Sequence, residues 1–323
     1  MTTQEKNNQL CRIIKDKLNP LIDNDYILLD VPHYSNLGDT LIWQGEIDLF
    51  QSLSYRCKYS TWFGGNLDLI RKCLLPDNIL LFQGGGNFGD LWPLHGEFRR
   101  KVIAMFPHHR CIILPQTIFY HSENNLREEA DFFCRYPNVT ICARDAKSFQ
   151  LLKEWFPNNP SILVPDMAFA MDMRRYPRIN NPRGTIFVKR NDKEFNSNLD
   201  YNHVVPNDAY VTDWLFLDNS KEYACQDNLT RWATRFDKRL GTDWKHKWLD
   251  LYWYYKLRTL NVRTAIDLID HYEHIYTTRL HAAILSIILC KTDITLFDNS
   301  YGKLFSFYNT WLYDVKGMKL ISE

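Results

Sequence analysis

Residues 78–92 read NILLFQGGGNFGDLW: a short apolar run, a glutamine, three consecutive glycines and a polar turn. An apolar run of strand length that ends in glycines delivers backbone to a place where something else must come close. The same pattern recurs on either side. YILLDV at 26–31, RCIILP at 110–115, VTICAR at 139–144 and SILVP at 161–165 are further strand-length runs. The gaps between them are long enough for crossover helices, such as the amphipathic DTLIWQGEIDLFQSL at 39–53. This alternation predicts an α/β fold with a parallel, doubly wound sheet. Polar or glycine-rich residues follow the runs at 36–39, 83–87, 115–116, 144–145 and 165–166. In a parallel sheet all of these lie at the carboxyl edge, where ligands bind, so they point to one crevice.

The pattern pauses at YPRINNPRG, residues 176–184, and then resumes with TIFVKR at 185–190, HIYTT at 274–278, a helix over about 279–289 and DITLF at 293–297. A chain of 323 residues exceeds what one core ordinarily organises. Two lobes are therefore expected, 1–178 and 179–323. With 39 basic and 38 acidic residues and no block of like charge, nucleic acid is not the expected partner. The opening residues lack the pattern of a secretory signal, so a cytoplasmic location is expected. The longest apolar run, Ala282 to Cys290, is about half of what a spanning helix needs and reads as a buried helix. Eight cysteines include no CxxC pair and no zinc-finger spacing; core thiols, and no metal, are expected.

Each candidate site residue carries two readings. Gly84, Gly85, Gly86, Asn87 and Gly89 satisfy GxGxxG after a strand, but the following strand ends in Gln116 and not in the acidic residue a dinucleotide ribose requires. The glycines allow close approach either of a ligand or of other backbone. Asp39, in the segment Asn36 to Asp39, either caps a helix or accepts a hydrogen bond or proton from a sugar hydroxyl. Asp145 is placed to cap the helix KSFQLLKEWF, while Arg144 either binds a carboxylate or phosphate or makes a surface salt bridge. Arg279 and His281 can act on one ligand if the triplet with Leu280 lies on the turn into the helix, where free amides favour an anion. The aromatic and basic stretch 243–258, DWKHKWLDLYWYYKLR, allows contact with a membrane or a lipid-linked substrate, against ordinary helix packing.

Eight segments in order resemble the bacterial polysaccharide pyruvyl transferases: NLGDTLIWQGE (36–46), LLFQGGGNFGDLW (80–92), ILPQTI (113–118), ICARDAKS (141–148), LVPDMAF (163–169), FVKRNDKEF (187–195), YTTRLHAAILSIILCK (276–291) and LFDNSYGKLFSFYNTW (296–311). The resemblance implies two Rossmann-like lobes facing a central cleft, as in GT-B glycosyltransferases. It implies phosphoenolpyruvate as co-substrate with no cofactor, and a saccharide acceptor that becomes a pyruvate ketal of an exopolysaccharide or capsule. It places Arg279, Leu280 and His281 on the donor, with an arginine from the other lobe. Arg144 is the best match for that arginine and Arg190 a second candidate, and Gly84 to Asn87 lie alongside. Asn36, Asp39, Asp90 and Lys303 are expected on the acceptor side, with Lys189 and Lys303 as further cations. His281 is the expected acid toward the donor and Asp39 the expected base. Where the family pattern has an acidic residue before the triplet's arginine, this chain has Thr278. A lipid-linked acceptor would bring the enzyme to the inner face of the membrane. The alternatives are a nucleotide-sugar glycosyltransferase of GT-B type and a non-catalytic saccharide-binding protein.

Overall fold

Aliphatic runs flanked by polar residues form the central strands. The computed structural model describes residues 1–179, 181–214 and 220–322. In the first sheet β1 (Tyr26–Leu29) is buried throughout and pairs in parallel with β2 (Cys57–Thr61) and β3 (Ile79–Phe82). β5 (Cys111–Phe119), β6 (Val139–Ala143) and β7 (Ser161–Leu163) extend it in the order β2-β1-β3-β5-β6-β7. The crossovers carry α2 (Leu37–Phe50), α3 (Leu67–Cys73), α4 (Pro93–Met105), α5 (Glu123–Cys134) and α6 (Ala146–Trp155). The second sheet is also parallel, with β8 (Thr185–Val188), β9 (Tyr210–Thr212), β10 (His274–Thr277), β11 (Asp293–Phe297) and β12 (Met318–Ile321) in the order β12-β11-β10-β8-β9. Its helices are α7 (Lys221–Leu240), α8 (Trp244–Tyr252), α9 (Arg258–Asp270), α10 (Leu280–Ile288) and α11 (Lys303–Phe307).

The glycine run has a specific place in this pattern. β3 pairs with the first half of β5, whereas β4 (Gly85–Gly89) pairs with its second half, so the two lie in one lane that breaks at Gln83 and Gly84 and then resumes. Gly85 and Gly89 take φ of 137° and 136°, backbone that side chains rarely adopt. A Cβ on Gly89 would lie 1.7 Å from the Phe119 carbonyl oxygen.

One large buried cluster contains residues of both sheets, from Leu28 and Leu81 to Ile275 and Leu296. Between the sheets, all nine residues of α10 are buried, as its apolar run predicts. α2 packs on the turn Met167–Ala170 and on α9. The first helix, α1 (Thr3–Leu18), packs on α10, and the Met1 amino group donates to the Asp314 carbonyl at 2.8 Å. The start of the chain is thereby fixed to the second sheet's side. Of the eight cysteines only Cys111 and Cys142 are buried, which corrects the expectation of core thiols for the other six. No helix among the described residues is long and apolar enough to cross a membrane.

Gly45 is where α2 comes closest to its neighbour: a Cβ there would sit 1.9 Å from the Met167 carbonyl oxygen. Gly45→Ala should therefore destabilise by about 1–3 kcal/mol, as forced overpacking does. Gly96 in α4 is the contrast, since its Cβ would meet only the tip of Arg100 at 3.5 Å. Gly96→Ala should stabilise by up to about 1 kcal/mol through helix propensity. Urea unfolding midpoints of the two variants check both signs.

Candidate active site

The carboxyl edges of the two sheets meet at Arg144. It follows β6, is fully buried, and donates from Nε to Thr117 Oγ1 at 2.8 Å and from Nη1 to Asp166 Oδ2 at 2.6 Å. His281 Nε2, from the first turn of α10, lies 3.3 Å from the same Asp166 oxygen and 3.5 Å from Arg144 Nη1. Burial alone would raise the Asp166 carboxyl, but the charge and hydrogen bond of His281, with the Arg144 guanidinium, hold it well below the usual range. The surface salt bridge considered for Arg144 is thus corrected to a buried one. Asp145 caps α6 through the Ser148 amide, as expected. Trp311 Nε1 donates to the Arg144 carbonyl at 2.7 Å, a further tie to the second sheet's side. One guanidinium atom remains over: Arg144 Nη2 is buried without a hydrogen-bond partner among the described residues.

A cavity of about 740 Å³ is lined by residues of both halves; Arg144 itself is absent from the lining, but Gly86 and His281, which adjoin its guanidinium, belong to it. Arg279 is the residue before α10, in extended backbone, while Leu280 and His281 are the helix's first two residues, so only the arginine sits on the turn; Arg279, Leu280 and His281 all line the cavity. Arg279 is held by carboxylates: it forks onto Asp213 at 2.8 and 2.7 Å and reaches Asp192 at 3.0 Å. Thr278, the residue before Arg279, accepts the Arg190 amide on its hydroxyl at 2.8 Å. Arg190 pairs with Asp192 and with Glu194. Glu194 Oε2 also accepts from Asn299, Tyr301 and, at 3.3 Å, Lys303. Burial would raise this carboxyl, but Lys303 and Arg190 hold it well below its ordinary value. Lys303 in turn is lowered, chiefly by burial and further by Arg144 and Arg190, with Glu194 opposing. Lys189, a further cation in the sequence, is absent from the lining; its Nζ lies over the Phe195 ring.

The three glycines divide between the two readings open for them. Gly84 meets backbone, since a Cβ would lie 2.8 Å from the Pro115 carbonyl oxygen, and its amide donates to buried Glu46 at 2.9 Å. Burial keeps Glu46 well above the usual carboxylate range. Gly85 faces Ile42 and Asp39, and neither Gly84 nor Gly85 lines the cavity. Gly86 does, and a Cβ there would lie 2.8 Å from Lys303 Nζ and 3.2 Å from Arg144 Nη2. The glycine keeps open a point on which two cations converge.

The helix cap at 36–39 is Asn36, whose side chain accepts the Gly38 and Asp39 amides. Asp39 is thereby free of the capping role; it lines the cavity and accepts from the Tyr34 hydroxyl at 3.0 Å. Gly38 lets the His281 ring pack against this turn, as a Cβ would come within 2.5 Å of His281 Nδ1. Asp90 is corrected: it lies outside the lining and accepts the His121 and Ser122 amides and the Asn125 side chain at the start of α5. Asn87 lines the cavity, but its side chain is engaged with Asp30, His95 and Arg99.

Sequence reasoning missed the pair of His95 and Asp30. His95 Nδ1 is 2.7 Å from Asp30 Oδ1, and the histidine lines the cavity. Asp30 stands inside the run YILLDV and was not among the edge residues read from the sequence; His95, in the first turn of α4, left no signal. Asp192 and Glu194 were legible in KRNDKE as acids alternating after Arg190, whereas Asp213 had no motif around it.

The sequence model of the family described as polysaccharide pyruvyl transferase matches residues 36–292. EpsO of Bacillus subtilis (strain 168), a protein named as a pyruvyl transferase, is 32% identical over 96% of this chain and 94% of its own. General stress protein 30 of the same strain is 31% identical over 97% and 86%. Pyruvyl transferase 1 of Schizosaccharomyces pombe is 26% identical over 88% and 69%. A crystal structure of an uncharacterized Klebsiella pneumoniae protein superposes with a TM-score of 0.60 at 19% identity over the whole of both chains, a likeness of fold. The chain therefore belongs to the polysaccharide pyruvyl transferase family, and membership implies a transferase with a polysaccharide acceptor.

Removing the carboxylate at the junction of the sheets leaves Arg144 buried with its charge uncompensated. Asp166→Asn should cost roughly 3 kcal/mol or more at pH 7. Because the carboxyl is depressed in the folded protein, its contribution is complete above the unfolded value of 3.8 and is lost as pH falls below it. The gap between wild type and variant in urea midpoints should be full at neutral pH and narrow below about pH 4.

Proposed function

With family membership as the premise, we propose that this protein transfers the enolpyruvyl group of phosphoenolpyruvate to two hydroxyls of a saccharide. The product is a pyruvate ketal, made in the biosynthesis of a bacterial exopolysaccharide or capsule. The observation that carries this reading is the convergence at Gly86 of the unpartnered Arg144 Nη2 and of Lys303, the last and longest contact on an oxygen that already accepts three others. Phosphoenolpyruvate bears a carboxylate and a phosphate on one small frame and needs two separate cationic ends. Arg144 with Lys303 would hold one, and Arg279 at the start of α10, aided by its helix amides, the other. In this reading the sheets belong to two lobes of GT-B-like arrangement, divided near residue 178, and the enzyme works in the cytoplasm.

The chemistry follows from the residues around the cavity. C3 of the donor gains a proton, from His281 in this proposal, and C2 acquires oxocarbenium character that a sugar hydroxyl attacks. Phosphate leaves and a second hydroxyl closes the ketal. C3 gains one proton while the two hydroxyls lose two, so the departing phosphate carries the other away. Two proton acceptors line the cavity and would serve the sugar hydroxyls in this reading: Asp39, and His95 oriented by Asp30. Lys303 is moved in this reading from the acceptor to the donor.

Phosphoenolpyruvate should raise the melting temperature, reaching about 2.7 kcal/mol of stabilisation at a hundred times its Kd, while UDP-sugars and NAD leave it unchanged. Stabilisation by a nucleotide sugar alone would assign the cavity to a glycosyltransferase donor. Arg279→Lys keeps the charge but loses the fork, and should weaken the donor shift with the fold intact. His281→Gln should lower kcat by roughly a hundredfold or more with donor affinity kept within a few fold. Product formed in heavy water should carry one deuteron in the ketal methyl, and its absence would exclude protonation at C3.

A further inference from the structure

The largest unexplained feature outside the cavity is the hairpin of α7 and α8. α7 is 20 residues long, yet only Tyr223 and Ala233 of it are buried. Trp232, Phe236 and Leu240 recur at intervals of four and are 53%, 40% and 57% exposed; across the turn Trp244 and Trp248 are 45% and 46% exposed. A helix face of this kind needs a cover.

The charges near the turn decide what kind. Arg231, Arg235, Lys238, Arg239 and Lys247 are all exposed. Between positions 231 and 248 the acids are Asp237 and Asp243, and both are occupied within the fold. Asp237 accepts the Thr242 hydroxyl and the Trp244 and Lys245 amides, each at 2.7 Å. Asp243 accepts from Asn66 Nδ2 at 2.6 Å and pairs with Lys72. The surface is thus aromatic and basic, with Asp237 holding the turn and Asp243 tying the hairpin to Asn66 and Lys72. A second copy related by a two-fold axis would set this basic stripe against itself, which like charges oppose. Tryptophan beside Lys and Arg suits the boundary between headgroups and acyl chains, and the positive charge suits anionic headgroups.

The hairpin is also tied to the cavity wall. Asn66, which holds Asp243, lies three residues beyond Phe63, a lining residue. Further along the same element, Asp250 of α8 accepts from Tyr59 and Thr61 of the edge strand β2. At the rim of the cavity Trp92 and Leu94 are exposed as well, and Lys193 Nζ lies 3.8 Å from the Trp92 ring centroid.

We propose that the α7–α8 hairpin docks on an anionic lipid bilayer and so brings the cavity to acceptors carried on lipid. The use of the surface rests on the reading of the cavity given above; the binding of lipid does not.

The test is co-sedimentation of the full chain with vesicles of phosphatidylcholine, with and without about a third of phosphatidylglycerol, at low and high salt. The protein should pellet with the anionic vesicles and be released by salt. The double variants Trp232→Ser with Trp248→Ser, and Arg235→Glu with Arg239→Glu, should each lose binding by roughly tenfold or more. Both should keep the wild-type melting temperature and its shift with phosphoenolpyruvate, which separates a docking defect from misfolding. The proposal is overturned if wild type stays in the supernatant with anionic vesicles or if the variants pellet as wild type does. A dimer in sedimentation velocity that both variants dissociate would also overturn it, assigning the face to a second copy. Vesicle binding without a phosphoenolpyruvate shift would count against the donor reading alone.

Discussion

A guanidinium sealed from water between two sheets is the constraint around which this molecule is arranged. Arg144 is fully buried, and a buried charge without partners is too costly for a fold to keep. Its partners come from successive parts of the chain: Thr117 from β5, Asp166 after β7, His281 from α10 and, on its carbonyl, Trp311. The two short bonds of the guanidinium stay on the first sheet's side, while His281, on the same Asp166 oxygen, and Trp311, on the Arg144 carbonyl, bring the second sheet's side to it. The shared hydrophobic cluster supplies the nondirectional adhesion, but apolar burial alone would tolerate sliding. The directional contacts of His281 with Asp166 and of Trp311 with the Arg144 carbonyl oppose that sliding.

The central architecture was legible because its strands are aliphatic and buried. β1, β3, β5, β6 and β7, with β8, β10 and β11, all coincide with runs visible in the sequence. The strands that escaped notice escaped for physical reasons. β2 reads CKYST and is an edge strand half open to solvent, so nothing selects for apolar residues on it. β9 is three residues long at the other sheet's edge, and β12 is a short edge strand entered from Gly317. β4 reads GGNFG, which local propensity rejects as a strand; it exists because β5 extends past β3 and offers unpaired backbone to whatever follows. Tertiary pairing overrode composition there.

The site was legible in a different measure. Residues on strand-to-helix turns, among them Asp39, Arg144, Arg279 and His281, could be picked out because parallel topology sends every such turn to one edge. Their partners could not. Whether Arg279 would lie free or be gripped by Asp213 depends on β9, which the sequence hid, and on a contact between residues 66 positions apart. His95 belongs to a helix start that nothing marked as part of the crevice. Asp90 misled because it closes a glycine-rich strand end, where both a ligand group and the cap of a neighbouring helix are natural. In the structure Ser122 is the cap of α5, and Asp90 holds the approach to it through the His121 and Ser122 amides and the Asn125 side chain.

The compensation of charge in the cavity bears on how such a site discriminates. Arg190, Arg279 and Lys303 face Asp192, Asp213 and Glu194, so these cations are already paired. Pairing orients the planar forks in advance and removes part of the ordering cost that a ligand would otherwise meet. It also means that an arriving anion must compete with a carboxylate at Arg279, and a singly charged ligand gains little from that exchange. An anion with two ends escapes the difficulty. In the reading proposed above it would take Lys303 and the uncommitted Nη2 of Arg144 where the two converge at Gly86, and reach Arg279 with its second group once the first is anchored. The second contact is then intramolecular and favoured by effective concentration. In the donor reading proposed above, selectivity for a small dianionic frame over a mono-anion or a neutral sugar would follow from the acids as much as from the bases. The acids make the site neutral to ligands that cannot bridge it.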